Sequence, residues 1–139
     1  YVGGLVGYHF TSASIINSYS NVDNVTASSN FIGGLVGRMR SSTILNSYST
    51  GKVVSSLERG GLVGGFYLTN NTVTDSFYDS TTSGQLDTGR GTGISTSLMK
   101  TKATFTDTSS PHLNGSWDFN SAWNIDTSGT INDGYPYLR

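Results

Sequence analysis

Apolar residues in this chain fall in short runs, rich in β-branched types and bounded by Gly, Ser, Thr or Asn. Runs of that kind, closed off by turn formers, predict short strands joined by turns. Nothing with helical spacing lies between them over residues 1–79. The runs also recur. The pentapeptide GGLVG stands at 3–7, 33–37 and 60–64, at intervals of 30 and 27 residues. A second motif follows each copy: Ile15-Ile16-Asn17-Ser18-Tyr19, Ile44-Leu45-Asn46-Ser47-Tyr48 and Val73-Thr74-Asp75-Ser76-Phe77, spaced 29 and 29. Two independent motifs that share one period mark a repeat architecture.

Strands recurring every ~28 residues without helices predict an all-β fold, a parallel β-solenoid of about three coils, each ~4.8 Å above the last. An antiparallel sandwich of hairpins would explain the short strands, but not why residues 29 apart share a type. Stacking explains it, because equivalent positions become neighbours. Tyr19, Tyr48 and Phe77 then form an aromatic column. Asn17, Asn46 and Asp75 form an amide column able to hydrogen-bond along the stack. Ile15, Ile44 and Val73 form an aliphatic ladder expected on the same strand face. Leu5, Leu35 and Leu62 form another, with Val6, Val36 and Val63 expected on the opposite face of the glycine-rich strand. The glycines fit close backbone approach at a tight bend. A phosphate-cradling loop would need a helix after it, and no helix signal follows any copy.

Residues 1–79 thus read as repeats, and 80–139 as a loop and capping segment of the same domain. Residues 80–97 read as a long loop, and Thr96 or Ser97 is expected to cap one helical turn through Lys102. Phe105, Trp117, Phe119, Trp123, Tyr135 and Tyr137 are expected to form an irregular aromatic cap, buried over the end of the stack. At the other end, Tyr1-Val2-Gly3-Gly4 begins inside a repeat strand. The expectation is a truncated array; the alternative is self-association through an open N-terminal coil, as a dimer or a stacked extracellular fibre.

Composition narrows the function classes. Gly, Ser, Thr and Asn supply 69 of 139 residues and charged residues only 12%, against roughly 25% in ordinary globular domains. Those four types weaken helix interiors, and 12% aromatic content argues against a disordered chain. The formal net charge is −1, with no basic stripe, so nucleic acid is not an expected partner. No apolar run approaches the ~20 residues of a membrane-spanning helix. The absence of Cys excludes disulfides, thiolate metal sites and cysteine nucleophiles.

Candidate chemistry is sparse. His9 and His112 are the only histidines, too few for a structural zinc site without Cys. No G-x-S-x-G element supports a Ser–His–Asp triad. Glu58 is the only Glu, and among the aspartates Asp75 and Asp79 alone lie close in sequence, Asp79 in an expected turn; a polysaccharide-cleaving solenoid would need convergent acids. Asp126, Asn132 and Asp133 share a polar loop but lack a calcium-loop spacing. Thr104, Thr106 and Thr108 alternate like an ice-binding face, but only once. No catalytic residue, cofactor or metal ligand is assigned. Asn24, Asn70 and Asn114 head N-x-S/T sequons in expected turns.

The segments VGGLVG at 2–7, IGGLVG at 32–37 and GGLVGG at 60–65, each trailed by Ile/Val-x-Asn/Asp-Ser-aromatic, resemble the GLUG-motif repeat family. The tail is similar to the segment that closes such arrays: FYDSTTSG at 77–84, Leu98-Met99-Lys100, WDF at 117–119, Trp123 and NDGYPYLR at 132–139. The resemblance implies a large secreted or surface-anchored bacterial or archaeal protein. Adhesins are among them, as are long immunoglobulin A peptidases whose repeats lie outside the catalytic site. It assigns no catalytic residue. The expected function is a non-catalytic structural or adhesive module, extracellular or at the cell surface. Its expected partner is a host or cell-surface glycan or protein. The alternatives are a self-stacking fibre subunit, a polysaccharide-cleaving solenoid, or a non-catalytic region of a surface peptidase.

Overall fold

The computed structural model describes residues 1–28, 30–88 and 90–139. The first repeat holds β1 (Val2–Gly3), β2 (Val6–Phe10), β3 (Ser14–Ile16), β4 (Tyr19–Ser20) and β5 (Asn24–Thr26). The second holds β6 (Ile32–Gly33), β7 (Val36–Arg40), β8 (Thr43–Leu45), β9 (Tyr48–Ser49) and β10 (Lys52–Val54). The third holds β11 (Arg59–Gly60), β12 (Val63–Phe66), β13 (Thr72–Thr74) and β14 (Phe77–Asp79). Then come α1 (Ser80–Ser83), β15 (Thr92–Ile94), α2 (Thr96–Met99), α3 (Ala103–Thr106), β16 (Trp123–Asn124), a 3-10 turn (Asn132–Gly134) and β17 (Tyr137–Leu138).

The chain is mostly β, and equivalent strands of successive repeats pair in parallel: β1-β6-β11, β2-β7-β12, β3-β8-β13, β4-β9-β14-β15 and β5-β10. Among the described residues, only β16 and β17 pair antiparallel. The register follows the repeat. Tyr19 faces Tyr48, which faces Phe77; Ile15 faces Ile44, which faces Val73; Val6 faces Val36, which faces Val63. Leu5 N–H donates to Leu35 O and Leu35 N–H to Leu62 O, both at 2.9 Å. A hairpin sandwich is incompatible with these pairings.

Three expectations are corrected by local backbone geometry. Leu and Val of GGLVG do not take opposite faces. A bend between β6 and β7 turns the chain, so that Leu35, Val36, Leu62 and Val63 all enter one core cluster with Ile44 and Met39. Asn17, Asn46 and Asp75 do not form an amide ladder. Each sits at φ near 48°, the left-handed region that Asn and Asp tolerate better than other side chains. That kink separates β3 from β4 and its counterparts, so Ile15 and Tyr19 serve different clusters. The ladder falls instead to the next residue. The hydroxyls of Ser18, Ser47 and Ser76 donate to the carbonyls of Ile16, Leu45 and Thr74 at 3.0, 2.8 and 2.7 Å. Ser18 N–H donates to Ser47 Oγ and Ser47 N–H to Ser76 Oγ, each at 3.2 Å.

The second glycine of each motif is required by close approach. A Cβ on Gly34 would collide with Ser49 Oγ and Gly61 O, and one on Gly61 with the Tyr78 ring. Ser20, Ser49 and Tyr78 are themselves register partners. One wall of each repeat therefore touches another wall directly, as a tight bend demands.

The tail also departs from expectation. Residues 80–97 are not one loop: Asp79 accepts from Thr81 and Thr82 N–H and starts α1, and β15 adds a fourth strand beside β14. Ser95, not Thr96 or Ser97, precedes α2, which ends at Met99. The Thr104–Thr108 alternation falls in and after α3, so it makes no strand face. The aromatic segment packs along the side of the stack. Trp123 touches Tyr19 and Tyr48, Trp117 touches Tyr48 and Phe77, and Trp123 Nε1 donates to Asn17 Oδ1 at 3.2 Å. All three levels meet it. Trp117, Trp123 and Tyr135 are buried, while Tyr137 is half-buried. The outer edges of the second and third repeats are met by polar side chains. Asp87 accepts from Gly61 N–H at 2.7 Å, Gln85 donates to Val53 O at 3.1 Å, and Arg90 donates to Gly64 O and Arg59 O.

Candidate functional site

The acids are mostly committed to backbone. Asp75, Asp79, Asp87, Asp107, Asp118 and Asp126 each accept at least one backbone N–H on the side chain. Asp75 holds the N–H groups of Asn114 and Gly115 at 2.6 and 3.0 Å. Asp79 takes the Tyr135 hydroxyl at 2.8 Å. These two aspartates, close in sequence, thus face different partners. Asp126 accepts from Ser128, Thr130 and Ile131, and these bonds, led by the Ser128 hydroxyl, hold its carboxyl well below the usual range. Asn132 is tied into the tail, donating to the Tyr48 hydroxyl and to Pro136 O, both at 2.8 Å. Among the described residues no three His, Cys, Asp or Glu side chains gather as a metal site.

Two clefts bring together residues that sequence spacing did not pair. Asp75, Ser76 and His112 line one of about 210 Å³. Ser76 Oγ, however, donates to Thr74 O and receives Ser47 N–H, so its hydroxyl belongs to the ladder. Asp23, Asp133 and Lys52 line another of the same size. His9 is buried, its Nε2 at 3.1 Å from Thr43 O.

The three sequons differ in placement. Asn24 opens β5 rather than lying in a turn, and is exposed. Asn70 is exposed in the loop between β12 and β13. Asn114 is exposed, but its Nδ2 donates to Asp75 Oδ1 at 3.3 Å.

One surface has the make-up of a recognition face. Along β2 and β7 the side chains alternate, so His9 and Met39 are buried while Tyr8, Phe10, Arg38 and Arg40 point outward. In register, Tyr8 faces Arg38, which faces Gly65. A Cβ on Gly65 would collide with the Phe31 ring, so glycine makes room for that ring on the third level. Phe10, Tyr8, Tyr1 and Phe31 follow one another at centroid spacings of 5.3, 5.1 and 5.6 Å. Arg38 lies among Tyr1, Phe31 and Tyr67 at 5.0, 4.3 and 4.4 Å, and Arg40 lies 5.3 Å from Tyr67. Rings hold guanidinium groups by charge–quadrupole attraction. Among the described residues the one ion pair is Arg90–Asp87, so neither Arg38 nor Arg40 is paired with a carboxylate. Sequence reading missed this face because Tyr8, Arg38 and Tyr67 belong to no shared motif; the outward alternation in YHF and RMR was the available signal.

Comparison with known proteins adds two findings. The GLUG motif model matches residues 1–31. A protein of Evansella cellulosilytica named "Putative Gly-rich membrane protein" is 38% identical over 133 residues, covering 90% of this chain. The chain spans 14% of that protein's length. No solved structure matches, and among the described residues no helix is long and apolar enough to cross a membrane. With the GGLVG strands stacked in register and the family model matching the first of them, the chain carries the GLUG motif.

Proposed function

We propose that the repeats wind into a parallel β-solenoid of about three coils, serving as a non-catalytic adhesive or structural module of a secreted or cell-surface protein. The observation that carries this reading is the register, in which equivalent residues of three repeats are direct partners in parallel sheets. Stacking of that kind builds long, rigid outer faces from short strands. The GLUG motif and the Gly-rich membrane relative support a surface setting. The committed hydroxyl of Ser76 and the backbone-bound aspartates support a non-catalytic role. The partner class is a host or cell-surface glycan or protein. The direct test is an array of glycans and surface proteins probed with the purified chain, alongside a hydrolysis assay on the same glycans. Retention without turnover is expected. Turnover abolished by Asp75→Asn or Asp133→Asn would overturn the reading.

A further inference from the structure

We propose that the outer face of the β2-β7-β12 sheet binds an acidic polysaccharide, its sugar rings lying on the exposed aromatics and its carboxylates meeting Arg40 and Arg38. The inference rests on the adhesive reading above and names the ligand class and the site. Three observations carry it. The face is aromatic and open: Tyr8, Phe10 and Tyr67 are 37%, 54% and 41% exposed. It is cationic, because Arg38 and Arg40 lack a carboxylate partner among the described residues. The Arg40 guanidinium lies beside the Tyr67 ring, and Arg38 donates to the Tyr1 hydroxyl, so both are held in place before any ligand arrives. The flat guanidinium suits a carboxylate, which it can engage with two parallel bonds.

Size argues for a saccharide over a protein. Three strands about 4.8 Å apart and three residues along each strand give a footprint on the order of 150 Å². A stable protein interface buries roughly 800 Å² on each partner. A chain of sugars, each with an apolar C–H face and charged at one edge, fits the smaller strip of rings beside guanidiniums. Glu58, whose carboxylate lies near Gly65, would repel that end of the polymer and so favours the Arg40–Phe10 end.

The experiment titrates the whole chain with oligogalacturonate and, separately, with its methyl ester, by calorimetry at two salt concentrations. Binding of the acid is expected, at least tenfold weaker for the ester and weaker again at high salt. Arg40→Ala and Tyr67→Ala should each lower the affinity tenfold or more without moving the melting temperature. If Arg40→Ala melts early, Arg40→Gln replaces it. Equal binding of acid and ester, binding untouched by these variants, no binding of the acid, or displacement by poly-glutamate but not by the saccharide overturns the inference. A chain that still adheres to other glycans or proteins with Arg40→Ala undiminished leaves the adhesive reading standing. Adhesion to nothing defeats both.

Discussion

The Tyr135 hydroxyl donates to Asp79 Oδ2 at 2.8 Å, joining residues 56 apart in sequence at a fully buried carboxylate. Asp79 Oδ1 meanwhile caps α1 through Thr81 and Thr82 N–H. One carboxylate therefore ends the repeat array, starts the tail and anchors the tail's return. Tyr135→Phe leaves Asp79 short of a donor and should cost about 1–3 kcal/mol. Urea unfolding checks this; an unchanged midpoint would show that the contact is not needed.

The left-handed residue between β8 and β9 gives a second expectation. At φ 48°, Asn46→Ala keeps the crowded Cβ but loses the short polar side chain that lets Asn tolerate this region, and should cost about 1–2 kcal/mol. Asn46→Gly should cost less, because glycine accepts that region freely. Equal losses from the two variants would mean that the amide, and not the backbone angle, is what the position requires.

Lateral packing of the tail makes a third. Trp123 is fully buried against Tyr19, Tyr48 and Trp117. Trp123→Ala should destabilise by about 3–5 kcal/mol. Leu86, 87% exposed, should tolerate alanine within about 0.5 kcal/mol. Thermal unfolding of both variants separates a tail that holds the stack from one merely attached to it.

Alkaline pH gives a fourth. Burial, then the Asp87 charge, pushes the Tyr78 hydroxyl up to about 12. Burial likewise raises Tyr48, and burial with the Asp79 bond raises Tyr135. The folded chain thus holds phenol protons that the unfolded chain releases near pH 10. Stability should be level below pH 10 and fall as pH rises from 10 through 12. Denaturant midpoints between pH 8 and 12 check it; a flat profile would contradict the buried phenols.

Identity at fixed spacing made the ladders readable, because a residue 29 positions on becomes a lateral neighbour. Tyr19, Tyr48 and Phe77 could be placed before any coordinates. Direction was harder to read. Asn17 and Asn46 look like hydrogen-bonding amides until their positive φ is known, and Leu35-Val36 look like opposite faces until the bend turns both inward. The polar edge cover of Gln85, Asp87 and Arg90 lacks any apolar or periodic signal, since its work is done by single side chains reaching backbone groups. The aromatic tail was expected to be buried, and Trp117 and Trp123 are. That it lies along the stack depends on long-range contacts, such as Trp123 with Asn17 across 106 residues.

The parallel register of the repeats is tested most directly by paired cysteines, since the native chain has none. Ile16 and Leu45 are register partners on β3 and β8. Parallel neighbours lie about 4.8 Å apart, inside the Cα range of roughly 4.4–6.8 Å that a disulfide spans. Mild oxidation of Ile16→Cys/Leu45→Cys, read as intramolecular disulfide by mass spectrometry, should give near-complete closure. Ile16→Cys/Thr43→Cys, two residues out of register, should stay reduced. Closure of the second pair and not the first would contradict the stacked-repeat account.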